Sequence, residues 1–269
     1  MKRKKVSHKL KGKGKKVRGK SEENGKWMRI IQVISIIVVL AVLAGIIGLN
    51  KPSVNTPLVD KSKAVLIDGI ALTDPNPEFT RSVKEILSKA NITLDIYEGE
   101  EVTINLLRKI GGYGLIILRL HSAIDKELRF LYIFSAERFN ETGYRETEPT
   151  AIREGVPFYG NESYFTLRGD LLGDLSGKGL NGSIIILMGC NGTNSQQIIE
   201  NLFDRGVKAI IAWDGYVDLN YTDKITIELL KAVYEEHMNF DEAVKKVMDE
   251  RGADPTWKSR LEYLANSSG

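Results

Sequence analysis

The chain has 269 residues and a net charge of +3, but residues 1–27 hold twelve Lys or Arg against two Glu, or +10, which leaves −7 on residues 28–269. With one cysteine and three histidines it can form neither an internal disulfide nor a zinc cluster of the usual spacing, so the body depends on its own core. A phosphate-binding loop is excluded as well, because Gly111-Gly112-Tyr113-Gly114 precedes a strand whereas a P-loop follows one. No metal and no cofactor is expected.

Residues 1–28 form a Lys-rich tail. A nucleic-acid patch would have this composition. Beside an apolar span the tail instead reads as a disordered topogenic segment held near anionic lipid heads, with no nucleic-acid partner. Residues 29–50 are assigned to a transmembrane helix, since Ile30–Asn50 carries no charged side chain. At about 1.5 Å per residue this run covers roughly 30 Å, the thickness of a bilayer core. A cleaved signal peptide competes, because Val42 and Ala44 loosely fit a cleavage site; the run continues past Ala44, which favours an uncleaved anchor. The positive-inside rule then keeps the tail cytoplasmic and puts residues 51–269 outside. Seven Asn-x-Ser/Thr sequons, at Asn91, Asn140, Asn161, Asn181, Asn191, Asn220 and Asn266, agree weakly with export.

After a linker over 51–63, the body spans 64–253. A strand at Ala64–Ile70, a helix opened by Asn76-Pro77, a strand at Ile92–Tyr97, a helix over Val102–Ile110 and a strand at Leu115–Leu120 alternate as in a parallel α/β sheet. Residues 122–182 interrupt the pattern. They include two antiparallel strands, RFLYIFS and SYFTL, and are predicted to overhang the carboxyl edge of the sheet as a groove wall. The order resumes with a strand at Ile184–Met188, a helix at Ser195–Arg205 and a strand at Val207–Trp213. Helices over Asp223–His237 and Phe240–Arg251 follow, with a surface tail over 254–269. The expected fold is a doubly wound, mainly parallel α/β sheet of order 2-1-3-4-5 with an antiparallel excursion.

Two apolar strands end in reactive side chains. SIIILMGCNGT leads into Cys190, and LIILRL leads into His121. If the two are neighbouring parallel strands, their carboxyl ends bring thiol and imidazole within reach, and a helix N-terminus near Ser195 would favour a thiolate. A small buried thiol that only fills space is the plainer alternative. Arg119, on an otherwise apolar strand, needs a carboxylate partner.

The run NGSIIILMGCNGT, a helix, GVKAIIAWDGYVD and the helix FDEAVKKVMDERG resemble the second half of CHAT domains, in the caspase-like (clan CD) cysteine peptidases that include gingipains, clostripain and separase. The resemblance covers about residues 64–251. It implies peptide-bond hydrolysis of a protein or peptide substrate, with Cys190 as nucleophile, His121 as acid and base, and backbone amides at Ser122 and Cys190 as the oxyanion site. The family usually has Gly where this chain has Ser122, and Ala where it has Gly189. In related peptidases, acidic groove residues select a basic side chain; Asp214, Asp218 and Asp68, with Trp213, are the corresponding candidates for substrate binding. Turn and capping roles for the carboxylates, and a core role for Trp213, are the alternatives. An inactive domain of the same fold, used as a binding or structural module, is the second functional expectation.

Overall fold

A computed structural model describes residues 58–144, 150–158 and 160–266, with Val33 and Ser35. The basic tail, nearly all of the span 29–50 and most of the linker lie outside the described residues. Among those described, no helix is long and apolar enough to cross a membrane. The chain divides into two units, residues 1–55 and 56–269, and the α/β body is the second.

Its first half alternates as expected. β1 (Asp60–Asp68), α1 (Pro77–Lys89), β2 (Thr93–Glu98), α2 (Ile104–Lys109) and β3 (Tyr113–Arg119) follow one another. α1 starts where Asn76 Oδ1 accepts from the Phe79 amide at 3.0 Å, with Pro77 supplying the φ of the first turn. Later in the chain come β8 (Ile184–Leu187), α3 (Gln196–Asp204), β9 (Ala209–Trp213), α4 (Leu219–Tyr234), α5 (Phe240–Arg251) and β10 (Leu261–Ala265). The main sheet has the order β2-β1-β3-β8-β9-β10, parallel except for β10. The five predicted parallel strands therefore stand in the order 2-1-3-4-5.

Strand alternation divides the core in two. Ile116, Leu118, Ile185 and Leu187 share one cluster with Leu107 of α2 and Ile198 and Leu202 of α3. Leu115, Ile117, Ile186 and Met188 share the other with Phe79 of α1, Leu229 of α4 and Val247 of α5. Both faces of the central strands are covered by helices, which is why those strands read as continuous apolar runs.

Three expectations are corrected. The excursion is a four-stranded antiparallel sheet in which β4 (Ser122–Ile124), β5 (Leu131–Arg138), β7 (Tyr164–Arg168) and β6 (Ile152–Gly155) neighbour one another in that order. It does more than overhang an edge: Leu131, Ile133, Phe165 and Leu167 pack into the core with α2 and α3. The supposed surface tail after Pro255 supplies β10, which pairs antiparallel with β9 from Leu261↔Trp213 to Ala265↔Ala209. An edge strand needs hydrogen bonds on one side only, so five residues with one buried anchor, Leu261, suffice. Finally, α4 begins before Asp223, because Asp218 caps it by accepting from the Tyr221 amide at 3.1 Å.

That earlier start buries Asp223 in an ion cluster beneath the carboxyl edge. Arg119 is 1 % exposed; its Nε and Nη2 donate to Asp223 at 2.8 and 2.9 Å, and its Nη1 donates to both Asp68 oxygens at 3.0 Å. Asp68 and Arg119 are register partners on β1 and β3, and Asn76 adds an amide hydrogen bond to Asp223 at 2.8 Å. The cluster thus joins β1, β3, α4 and the start of α1. Burial works to lower the Arg119 pKa, but Asp223 and Asp68 outweigh it and hold the guanidinium above its usual range. Replacing Arg119 with Leu would leave two carboxylates buried without their cation, so a loss of about 3–5 kcal/mol is expected. Chemical denaturation measures it; a loss under about 1 kcal/mol would mean that the cluster is solvated and structurally idle.

Candidate functional site

His121 and Cys190 follow the carboxyl ends of adjacent strands. β3 and β8 are parallel with Leu118 opposite Leu187, so each reactive residue is the third after a register partner. The ladder closes with the Met188 amide donating to the Leu118 carbonyl at 3.0 Å. Beyond that bond a side-chain link takes over: Ser122 Oγ donates to the Cys190 carbonyl at 2.6 Å.

Gly189 explains how the two turns come so close. A Cβ there would meet Ser122 Oγ at 2.4 Å, the Leu120 carbonyl at 2.5 Å and Ser122 N at 3.0 Å. Positions 189 and 122 therefore share one space, filled here by the Ser122 side chain. The Ser122 amide retains its capacity as a donor. Phe134 N donates to His121 O at 2.9 Å, which makes Ser122↔Ile133 a non-hydrogen-bonded pair and leaves Ser122 N–H outside the ladder.

Both reactive groups are held neutral. Burial pushes the Cys190 thiol above its usual 9.0; a hydrogen bond from the Val217 amide opposes the shift, and the Asp254 carboxylate adds to it. Burial also lowers the His121 imidazole below 6.5, against the pull of Asp74 and with help from Arg119. The expected thiolate is thus corrected. Cys190 lies in a turn six residues before α3, too far to feel the helix N-terminus, and desolvation dominates. The imidazole packs edge-on against Phe134, with centroids 6.0 Å apart, while the thiol faces Val217.

The candidate substrate-binding residues are placed as follows. Asp68 is 1 % exposed and bound to Arg119. Asp218 caps α4, and Asp214 Oδ1 accepts from the Arg260 amide at 2.7 Å. Trp213 is fully buried, its indole donating to Thr222 Oγ1 at 2.8 Å. Three carboxylates not singled out in the sequence act around these residues: Asp74 on His121, Asp254 on Cys190, and Asp223 on Arg119 beside Asp68. Asp254 is fully buried and accepts from the amides of Asp218, Thr256 and Trp257 at 2.9, 2.8 and 2.6 Å. Its Asp-Pro-Thr context signals a turn and gives no hint of a thiol nearby. Among the described residues no cluster of side chains is set to hold a metal ion.

No protein-family model matches the chain. No curated protein matches it either.

Gly189→Ala is expected to cost about 1–3 kcal/mol through overpacking. In a Ser122→Gly background only part should return, because the Leu120 carbonyl still blocks the methyl group. Thermal or denaturant melts of the two single variants and the double variant test this; additive losses would show that the hydroxyl and the glycine do not share the space.

Proposed function

We propose that this chain is a membrane-anchored cysteine peptidase-like protein, of the caspase-like CHAT type, that hydrolyses peptide bonds with Cys190 and His121. The observation that carries the reading is their matched position after register partners on adjacent parallel strands. The Ser122 bond that ties the two turns adds to it.

The chemistry follows from a neutral pair. His121 takes the Cys190 proton as the sulfur attacks the scissile carbonyl carbon; the resulting oxyanion accepts from the Ser122 amide. The imidazolium, steadied by Asp74, then protonates the leaving amine. Water, deprotonated by the same imidazole, cleaves the thioester and restores the thiol. No cofactor is needed in this sequence.

A second reading has its own support. A thiol raised by burial and set against Asp254 is a weak resting nucleophile, which suits an inactive fold serving as a binding module. A peptidyl electrophile of the acyloxymethyl ketone type separates the two. It should label the wild-type chain, fail on Cys190→Ala and slow at least tenfold on His121→Ala, the loss typical of a general base. Absence of labelling across peptide sequences would favour the binding module.

The reaction should also have an acid limb. His121 acts as base only when neutral, and burial lowers its pKa below 6.5, so the midpoint of the acid limb should lie below 6.5. A midpoint above 7 would contradict a buried imidazole. Simple alkylation of Cys190 by iodoacetamide should keep rising with pH through 9.0 without levelling off, because burial pushes the thiol pKa above that value. A plateau already reached at pH 7 would reveal a preformed thiolate–imidazolium pair.

The proposed location rests on the charge-free run Ile30–Asn50 beside the +10 tail. The bilayer is then a partner, with the tail inside and the body outside. Protease added to intact cells should digest the body and spare the tail; the reverse would overturn this topology.

A further inference from the structure

Three aromatic side chains from three separate loops meet on the surface. Phe158 follows β6, Tyr216 lies between β9 and α4, and Trp257 lies between α5 and β10. Their ring centroids form a triangle: Phe158 to Tyr216 is 5.6 Å, Phe158 to Trp257 is 5.7 Å, and Tyr216 to Trp257 is 5.3 Å. Phe158 is nevertheless 65 % exposed and Tyr216 45 %. Large rings packed together yet left in water constitute an apolar platform that the fold alone does not require.

The platform is fixed to the Cys190 turn. Tyr216 is flanked by Gly215, whose carbonyl accepts from the Asn191 amide at 2.7 Å, and by Val217, whose amide reaches the thiol. Asp254 ties the loop of Tyr216 to the turn of Trp257 through the amides of Asp218 and Trp257. Ser259 Oγ adds a bond to the Tyr216 carbonyl at 2.5 Å. Tyr216 and Trp257 therefore stand on backbone that is already pinned, and little ordering cost remains there for a ligand.

We infer that Phe158, Tyr216 and Trp257 form a subsite for an apolar side chain, of the Leu, Phe or Tyr class, next to the scissile bond of a peptide substrate. This rests on the peptidase reading above and specifies its substrate. Charge argues for the same occupant. Four carboxylates that could attract Arg or Lys are engaged by the protein's own donors: Asp68 by Arg119, Asp214 by the Arg260 amide, Asp218 by the Tyr221 amide, and Asp254 by three amides; Asp74, which is exposed, acts on His121. The turn that carries Trp257 also bears the exposed cations Lys258 and Arg260, which repel a basic side chain.

The test uses the full-length chain in detergent and fluorogenic peptides that differ only at the two residues flanking the scissile bond, bearing Leu, Phe, Arg or Asp. Leu and Phe should be cleaved about tenfold or more faster than Arg or Asp, the factor given by about 1.4 kcal/mol of contact. Tyr216→Ala and Phe158→Ala, both at exposed positions, should reduce that ratio toward one, and Tyr216→Phe should preserve it. A preference for Arg, or an apolar preference unchanged in both Ala variants, would overturn the subsite while leaving the peptidase intact. Should no peptide be cleaved, fluorescence anisotropy on the Cys190→Ala chain decides. Apolar peptides that bind, and lose about tenfold in affinity with Tyr216→Ala, would uphold the subsite and sink the peptidase. Failure of every peptide to bind would overturn the subsite itself.

Discussion

The carboxyl edge of this sheet rests on one buried cation. Arg119 leaves an otherwise apolar strand two residues before His121 and finds Asp68 in register on β1 and Asp223 on α4. An ion of this kind, removed from water, is stable only when its hydrogen bonds are met, and here two go to Asp68 on β1 and two to Asp223 on α4. The end of β3, the first turns of α1 and α4, and the end of β1 are therefore fixed relative to one another. The cluster carries one more carboxylate than cation, and Asp68 shows the consequence: burial raises its pKa even against the pull of Arg119. Such an arrangement favours position over stability, because a packed apolar substitute would hold the layers together without defining where β3 stops.

Above the cluster, fixed backbone becomes a fixed pair of turns. Gly189 allows the turn after β8 to lie against Leu120 and Ser122, and the Ser122 hydroxyl closes the contact. The antiparallel sheet then holds the His121 side in place, because the Phe134 amide donates to His121 O and the Phe134 ring packs against the imidazole. Sheet packing, rather than a mobile loop, thus sets the imidazole's position. Tyr216 and Trp257 are anchored by equivalent means, through Asp254 and Ser259.

Much of this was legible in the sequence. The alternation of strands and helices from Ala64 to Arg119, the parallel order and the two apolar strands leading to His121 and Cys190 follow from periodicity and from Gly and Pro punctuation. What stayed hidden depends on long-range partners: the first four residues of β1, Asp60–Lys63, read as linker. A carboxylate at a strand end reads alike whether it faces a groove or a buried Arg, so Asp68 stood as a substrate candidate with a turn role as its alternative, and it is found on the Arg119 that needed a carboxylate. β10 was missed because an edge strand carries one buried residue in five and little period-two signal. Phe158, Tyr216 and Trp257 have no local pattern at all; their proximity depends on three loops meeting on the surface.

The neutral state of the pair follows from the same hidden contacts. Position at a strand end suggested a thiolate, whereas desolvation and the Asp254 carboxylate both oppose one. Arg119 could have offset this field as the nearest buried cation, but its charge is already matched by Asp68 and Asp223. Its remaining influence falls on His121, where it disfavours the imidazolium. On the peptidase reading, the proton thus moves only when a substrate carbonyl is present to receive the sulfur's electrons and the Ser122 amide to receive the oxygen's. Activation on that reading is coupled to occupancy, and the single thiol stays protonated until a peptide covers the edge. A thiol ionised at rest would be open to oxidation throughout the life of the protein.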